Sequence, residues 1–148
     1  MAQSKCLNGP PALSASDYAR LAAFRYSLRR FLHFSEQAAA RVGLTGQQYQ
    51  AMLVVRSRAS PISINDLARE LLIRHHSAVG LVDRLAARGH LARYRDGADR
   101  RRVLIRLTGK GERELGKLVS VHRRKLRRIG PEIHQILGEL AGAWRPED

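Results

Sequence analysis

At 148 residues the chain is long enough for one compact domain with a real hydrophobic core. Its 27 Lys and Arg against 13 Asp and Glu leave a formal charge of +14, which favours a polyanionic partner and argues against a cationic one. A single cysteine, Cys6, excludes a disulfide framework and a multi-cysteine zinc site, and no apolar run reaches the 18 or so residues of a membrane span, so the expectation is a soluble, cytoplasmic protein.

Residues 1–13 are small, polar and interrupted by Pro10-Pro11, which predicts a flexible tail. From Ser14 to Val42 the apolar positions Leu21, Phe24, Leu28, Phe31 and Leu32 recur at spacings of three and four, as in a long amphipathic helix that Gly43 stops. The stretch LTGQQYQAMLVVRS resumes that spacing through Tyr49, Met52 and Leu53 and predicts a second helix. Pro61 then breaks the chain. Ser63 and Asp66 stand at capping-box spacing and Ile62 and Leu67 at staple positions, so a third, short helix begins near Ile64.

Leu67, Ala68, Leu71 and Leu72 form the apolar face of that helix, and only Ile73 and Arg74 separate it from another periodic stretch beginning near His75. So short a joint predicts helix-turn-helix. In the second of these helices Ala78, Leu81, Val82 and Leu85 share one face, and Gly89 marks the stop. His76, Gly80 and Asp83 occupy the opposite face, flanked by Ser77, Val79 and Arg84. The pattern then changes to period two in LARYR and RRVLIRLT around the tip DGADR, with Val103, Ile105 and Leu107 on one face, which predicts a hairpin. Helical spacing returns from Thr108, and Gly130-Pro131 is expected to divide it into a long helix and a short one ending near Trp144.

Helix, turn, helix and charged hairpin in this order read as a winged helix, whose second helix enters a DNA major groove while the hairpin reaches the flanking backbone. Between Arg74 and Arg106 there are nine Lys or Arg and three Asp or Glu, so the charge sits where DNA would lie. Arg74 with His75 and His76 opposes the helix dipole at the start of its helix, a poor choice for stability alone that a polyanion would compensate. Asp83 is anomalous there, because a carboxylate facing the groove repels phosphate unless a cation holds it. The bland alternative is that these arginines solvate an exposed hairpin.

The strings LTGQQYQAML, INDLARELL, VDRLAARGHLAR and DGADRRRVLIRLTGKG, with Asp99-x-Arg101, Leu107-Thr108 and Gly111 in the wing region, resemble the MarR family of bacterial transcription regulators over roughly Leu44 to Gly111. The resemblance implies a mainly α fold with a small β-hairpin wing. It places a winged helix-turn-helix domain at 44–107 and a helical dimerisation region at 14–43 and 108–148, so that two wings face one duplex. It further implies that Arg101 pairs with Asp83 to lock the wing to the recognition helix, and that Arg100 or Arg102 probes the minor groove. With Arg74, His75, His76, Ser77, Gly80, Arg84, Arg95 and Arg101 these are the expected DNA-binding residues. Where the family often carries Ser or Thr and Arg along the reading helix, this chain has Arg74, His75, His76 and Gly80, which leaves the base sequence open.

Many members release DNA when a small aromatic or anionic compound binds, so a repressor on an inverted-repeat operator, released by such an effector, is the expected function. Phe31, His33, Tyr49 and Met52 are candidates to line its pocket, although as core residues they need no such role and the core reading is preferred. Two alternatives stand beside this reading: a redox sensor acting through Cys6, which has only Lys5 beside it as a cation, and an architectural nucleic-acid binder without sequence readout. No phosphate-cradling GxxxxGK[ST], HExxH or nucleophile elbow is present and the histidines lack ligand spacing, so neither catalysis, a metal nor a cofactor is expected. The string HRRKLRRI, with its basic run Arg123 to Arg128, reads as a solvated face, an anion site or an acid-pairing dimer surface.

Overall fold

The computed structural model describes residues 13–143, so Cys6, the tail up to residue 12 and the expected end near Trp144 lie outside the described residues. Five helices and three strands follow in order: α1 Ala15–Ala40, α2 Gly46–Ser57, β1 Ile62–Ser63, α3 Ile64–Leu71, α4 His75–Ala87, β2 Leu91–Arg95, β3 Val103–Leu107 and α5 Gly109–Ala143. They divide into two compact units, one of residues Leu32–Leu126 and one of the described residues up to Phe31 and from Arg127 onward.

Local chemistry sets most of the boundaries in the larger unit. Thr45 and Gln48 close a capping box on α2, and Ser63 and Asp66 close one on α3, each pair satisfying two backbone donors that the helix start leaves free. Gly43 and Gly89, the two stops expected from the sequence, take positive φ of 73° and 75°, as the left-handed residue after a helix requires. The turn between α3 and α4 uses Leu72 in that role instead, at φ 54°, with its side chain 92% exposed. Ile62 and Leu67, the staple pair, are both buried.

The core of this unit gathers Met52, Leu67, Leu81, Val82, Leu85 and Ile105 from α2, α3, α4 and β3. The hairpin β2–β3 is antiparallel, with Arg93 opposite Ile105 and Arg95 opposite Val103. Sequence spacing missed β1, which pairs Ile62 with Ile105 and makes β3 the central strand. Leu104 on the other face of β3 is buried too, so the strand is not the one-sided ribbon that period two suggests.

In the smaller unit Arg20 lies within salt-bridge distance of Asp17 and Glu139, and Ser27 Oγ donates to Glu132 at 3.4 Å. The expected break at Gly130-Pro131 is absent: α5 runs as one helix with Pro131 inside it. Ile129, Ile133, Ile136 and Leu140, half-buried and spaced by four, three and four, carry an apolar stripe straight past the proline. That packing overrides a local penalty of about 3 kcal/mol for a missing N–H and a crowded carbonyl. Among the described residues no helix is long and apolar enough to cross a membrane.

Candidate nucleic-acid interface

α4 begins differently from its neighbours. Its N-cap, Arg74, makes no side-chain capping hydrogen bond, and no acid stands in its first turn. Arg74, His75, His76 and Ser77 are all exposed there, whereas Ala78, Leu81, Val82 and Leu85 on the other face are buried. The helix therefore presents uncapped N–H groups, the positive end of its dipole and a guanidinium to solvent, which together suit an anion. One turn on, the guanidinium of Arg84 lies over Gly80, where an added Cβ would meet Arg84 Nη1 at 3.3 Å.

The wing tip, residues 96–102, is tied by its own aspartates. Asp96 accepts from the Ala98 amide and Asp99 from the Arg101 amide, each at 3.0 Å, while the Asp96 amide donates to the Arg102 carbonyl at 3.0 Å. Both tip carboxylates thus serve the backbone, in the manner of Asx turns. Arg95 donates to the Arg100 carbonyl at 2.9 Å, which braces one side of the loop. Arg100 and Arg101 are exposed and enter no ion pair among the described residues.

Two expected roles change hands. Asp83 is paired with Arg93 of β2 and not with Arg101. Arg93 sits mid-ladder opposite Ile105 on the strand that leaves α4, while Arg101 lies beyond the last ladder pair, at the tip. Alternation along β2 puts Arg93 and Arg95 on one face, a signal that the period-two pattern held. The Asp83 carboxylate on α4 is thus paired with a guanidinium, though not the expected one. Arg102, a candidate for the minor groove, lies 3.5 Å from Asp66 at the start of α3. Hydrogen bonds from the Ser63 amide and hydroxyl, with Arg102 and Arg69 nearby, hold the Asp66 carboxyl below its ordinary range.

The four effector candidates do not share one environment. Met52 is wholly buried in the core, and His33 is exposed, within hydrogen-bond distance of Gln37 at 3.0 Å. Phe31 is half-buried in the smaller unit. Tyr49 is buried and stacks on His122 at 4.5 Å between ring centroids, and burial raises its phenol pKa. The spacing of the sequence gave no hint of His122, whose ring also meets Ser35 Oγ at 2.8 Å and Phe34 edge-on at 5.5 Å. A separate cleft of about 240 Å³ is lined by Arg56, Arg58, Tyr94, Arg106 and Glu112. Its cations are already engaged: Arg56 with Glu112, Arg58 with Glu70, and Arg106 over the Tyr94 ring.

Comparison with known proteins bears on the fold. Residues 42–102 match the sequence model of the MarR family. The transcriptional activatory protein BadR of Rhodopseudomonas palustris is 32% identical over 127 residues, 83% of this chain and 66% of BadR, so the chain spans just under two thirds of that relative. AbsC, a MarR family transcriptional regulator from Streptomyces coelicolor, superposes with a TM-score of 0.73 at 20% identity over 93% of this chain and 95% of its own. A variant of Staphylococcus aureus MepR bound to an oligodeoxyribonucleotide gives 0.65 at 20% identity over 85% of this chain and 94% of its own. With its helix-turn-helix, three-stranded sheet and wing in that order, the chain has the fold of the MarR-family winged-helix proteins, and its residues 42–102 are similar to that family in sequence.

Proposed function

We propose that this chain is a DNA-binding transcription regulator that acts as a homodimer on an inverted-repeat operator, with α4 in the major groove and the wing beside the flanking minor groove. The observation that carries this reading is the contrast between helix starts: α2 and α3 each have a complete capping box, while α4 has Arg74, His75, His76 and Ser77 exposed and uncapped. A DNA phosphate is the anion that completes that cap, and Arg100 and Arg101 add two further cations at the wing tip. BadR is named an activatory protein and MepR was solved on DNA.

Dimerisation follows from the exposed apolar residues of the smaller unit, where Tyr18, Leu21, Tyr26, Leu28 and Leu137 are each at least 40% exposed. Repression is the direct consequence where the operator overlaps a promoter. Release by a small aromatic or anionic effector belongs to the same reading, with Tyr49, His122 and Phe34 as aromatic surface and Lys125 5.2 Å from the Phe34 centroid as a cation.

A mobility shift against the DNA upstream of the protein's own gene, with competitor duplex, tests the reading. The expected result is a footprint with two half-sites about one helical turn apart and a preference of roughly a thousandfold or more over unrelated sequence. Equal binding to every duplex refutes sequence readout, and a monomer by sedimentation refutes the two-fold arrangement.

A further inference from the structure

A second cationic surface lies on α5, the helix that follows the wing. At 100° per residue Arg113, Lys117, Ser120 and Arg124 fall within about 60° of one another. The buried residues Gly111, Leu115, Leu118 and His122 occupy the opposite side of the same helix. Arg113, Lys117, Arg123 and Arg124 are all exposed, and none enters an ion pair among the described residues.

A merely solvated helix face ordinarily interleaves acids at i+3 or i+4. Here the acids of this part of α5 are committed elsewhere, Glu112 to Arg56 and Glu114 to the buried His90. Arg113 and Lys117 are instead a like-charged i, i+4 pair, and the helix repeats that arrangement at Arg123 with Arg127 and at Arg124 with Arg128. Lys110 and Arg113 also stand in its first turns, where the dipole disfavours cations. The face is thus charged against the preference of its own helix. From Arg113 to Arg124 it extends about 16 Å at 1.5 Å per residue, a straight row that matches a run of phosphates and not a single small anion.

We propose that this face of α5 binds the phosphodiester backbone of duplex DNA, as a contact separate from the one that reads sequence. It rests on the DNA-binding reading above. The backbone comes either from the flanks of the duplex already bound or from a second duplex.

The test compares wild type with a variant carrying Arg113→Gln, Lys117→Gln and Arg124→Gln, and with one carrying Lys at the two arginine positions. Affinity is measured from 50 to 200 mM salt on a short duplex covering only the footprint and on one extended by about two helical turns on each side. Three phosphate contacts per protomer, six in a bound dimer, steepen the slope of log K against log salt by about 5.4, which is roughly a thousandfold over this salt range. If the flanks supply the backbone, wild type and the Lys variant show the steeper slope on the long duplex and the Gln variant does not. If a second duplex supplies it, wild type and the Lys variant retain a labelled short duplex on an immobilised one, and the Gln variant loses this.

Equal slopes with no bridging overturn the proposal while leaving the reading of sequence intact. Loss of short-duplex binding in the Gln variant overturns the separateness of the surface. Retention of polyglutamate in place of DNA overturns the choice of partner. Failure of wild type to bind any duplex overturns both this proposal and the function on which it rests.

Discussion

Gly111 is the tightest point in the seat of the wing. It lies in the first turn of α5, and a Cβ there would stand 3.1 Å from both the His90 carbonyl carbon and Leu107 Cδ2, and closer still to the His90 carbonyl oxygen. That carbonyl also accepts from the Thr108 amide at 3.0 Å, so it is not free to turn aside. Gly111→Ala therefore forces the start of α5 away from β2, straining or breaking that hydrogen bond and loosening the contact with Leu107. Overpacking costs about 1–3 kcal/mol and a buried hydrogen bond left unmade about as much again. Set against a gain of about 1 kcal/mol in helix propensity, the net loss is about 3 kcal/mol, or roughly 6–12 °C in Tm. Gly116→Ala, on the same helix with nothing within 4 Å of its Cβ, collects the propensity gain alone and stabilises by about 0.5–1 kcal/mol. Urea and thermal unfolding of the two variants measure the difference. Equal stability of Gly111→Ala and Gly116→Ala would refute the close approach of α5 to His90.

Three further expectations concern stability and pH. Leu72→Gly relieves a left-handed backbone that costs a leucine about 1–2 kcal/mol and removes a side chain that packs on nothing, against roughly 0.5–1 kcal/mol of added chain entropy; the midpoint in urea should rise, and a fall contradicts the assigned φ. Met52→Ala should cost about 2–5 kcal/mol because the side chain is wholly enclosed, whereas a residue that merely lines an effector pocket would leave stability near wild type. The Glu114 carboxyl is held below its ordinary value of 4.5, chiefly by its hydrogen bond with His90. The unfolded chain therefore takes up that proton first as pH falls, so the stabilisation is complete above the ordinary value and disappears as pH drops through the folded one. Glu114→Gln should flatten this acid limb in pH-dependent unfolding, and an unchanged limb assigns the acid sensitivity elsewhere.

The elements most legible in the sequence are those whose cause is local. Ser63 with Asp66 announces α3, Gly43 and Gly89 end α1 and α4, and the spacing of Ala78, Leu81, Val82 and Leu85 sets which face of α4 is left to solvent. The departures are long-range. Two residues, Ile62 and Ser63, become a strand only because β3 arrives some forty positions later to pair with them. Pro131 stays helical because the stripe from Ile129 to Leu140 packs through it, which outweighs the local preference. Tyr49 and His122 are 73 positions apart, and their stacking leaves no periodic trace. In the candidate interface, the exposed start of α4 and the arginine-rich tip were readable from residue type and spacing. Which arginine answers Asp83 was not, because β2 brings Arg93 back beside α4 while the turn carries Arg101 outward.

The salt dependence of binding to a short footprint duplex tests the central claim most directly, comparing wild type with the double variant Arg100→Gln, Arg101→Gln. If each of these wing arginines neutralises one phosphate per protomer, a bound dimer loses about four contacts and the slope of log K against log salt becomes shallower by about 3.6. A slope unchanged by the double substitution contradicts the account, because the wing would then carry its charge without touching DNA.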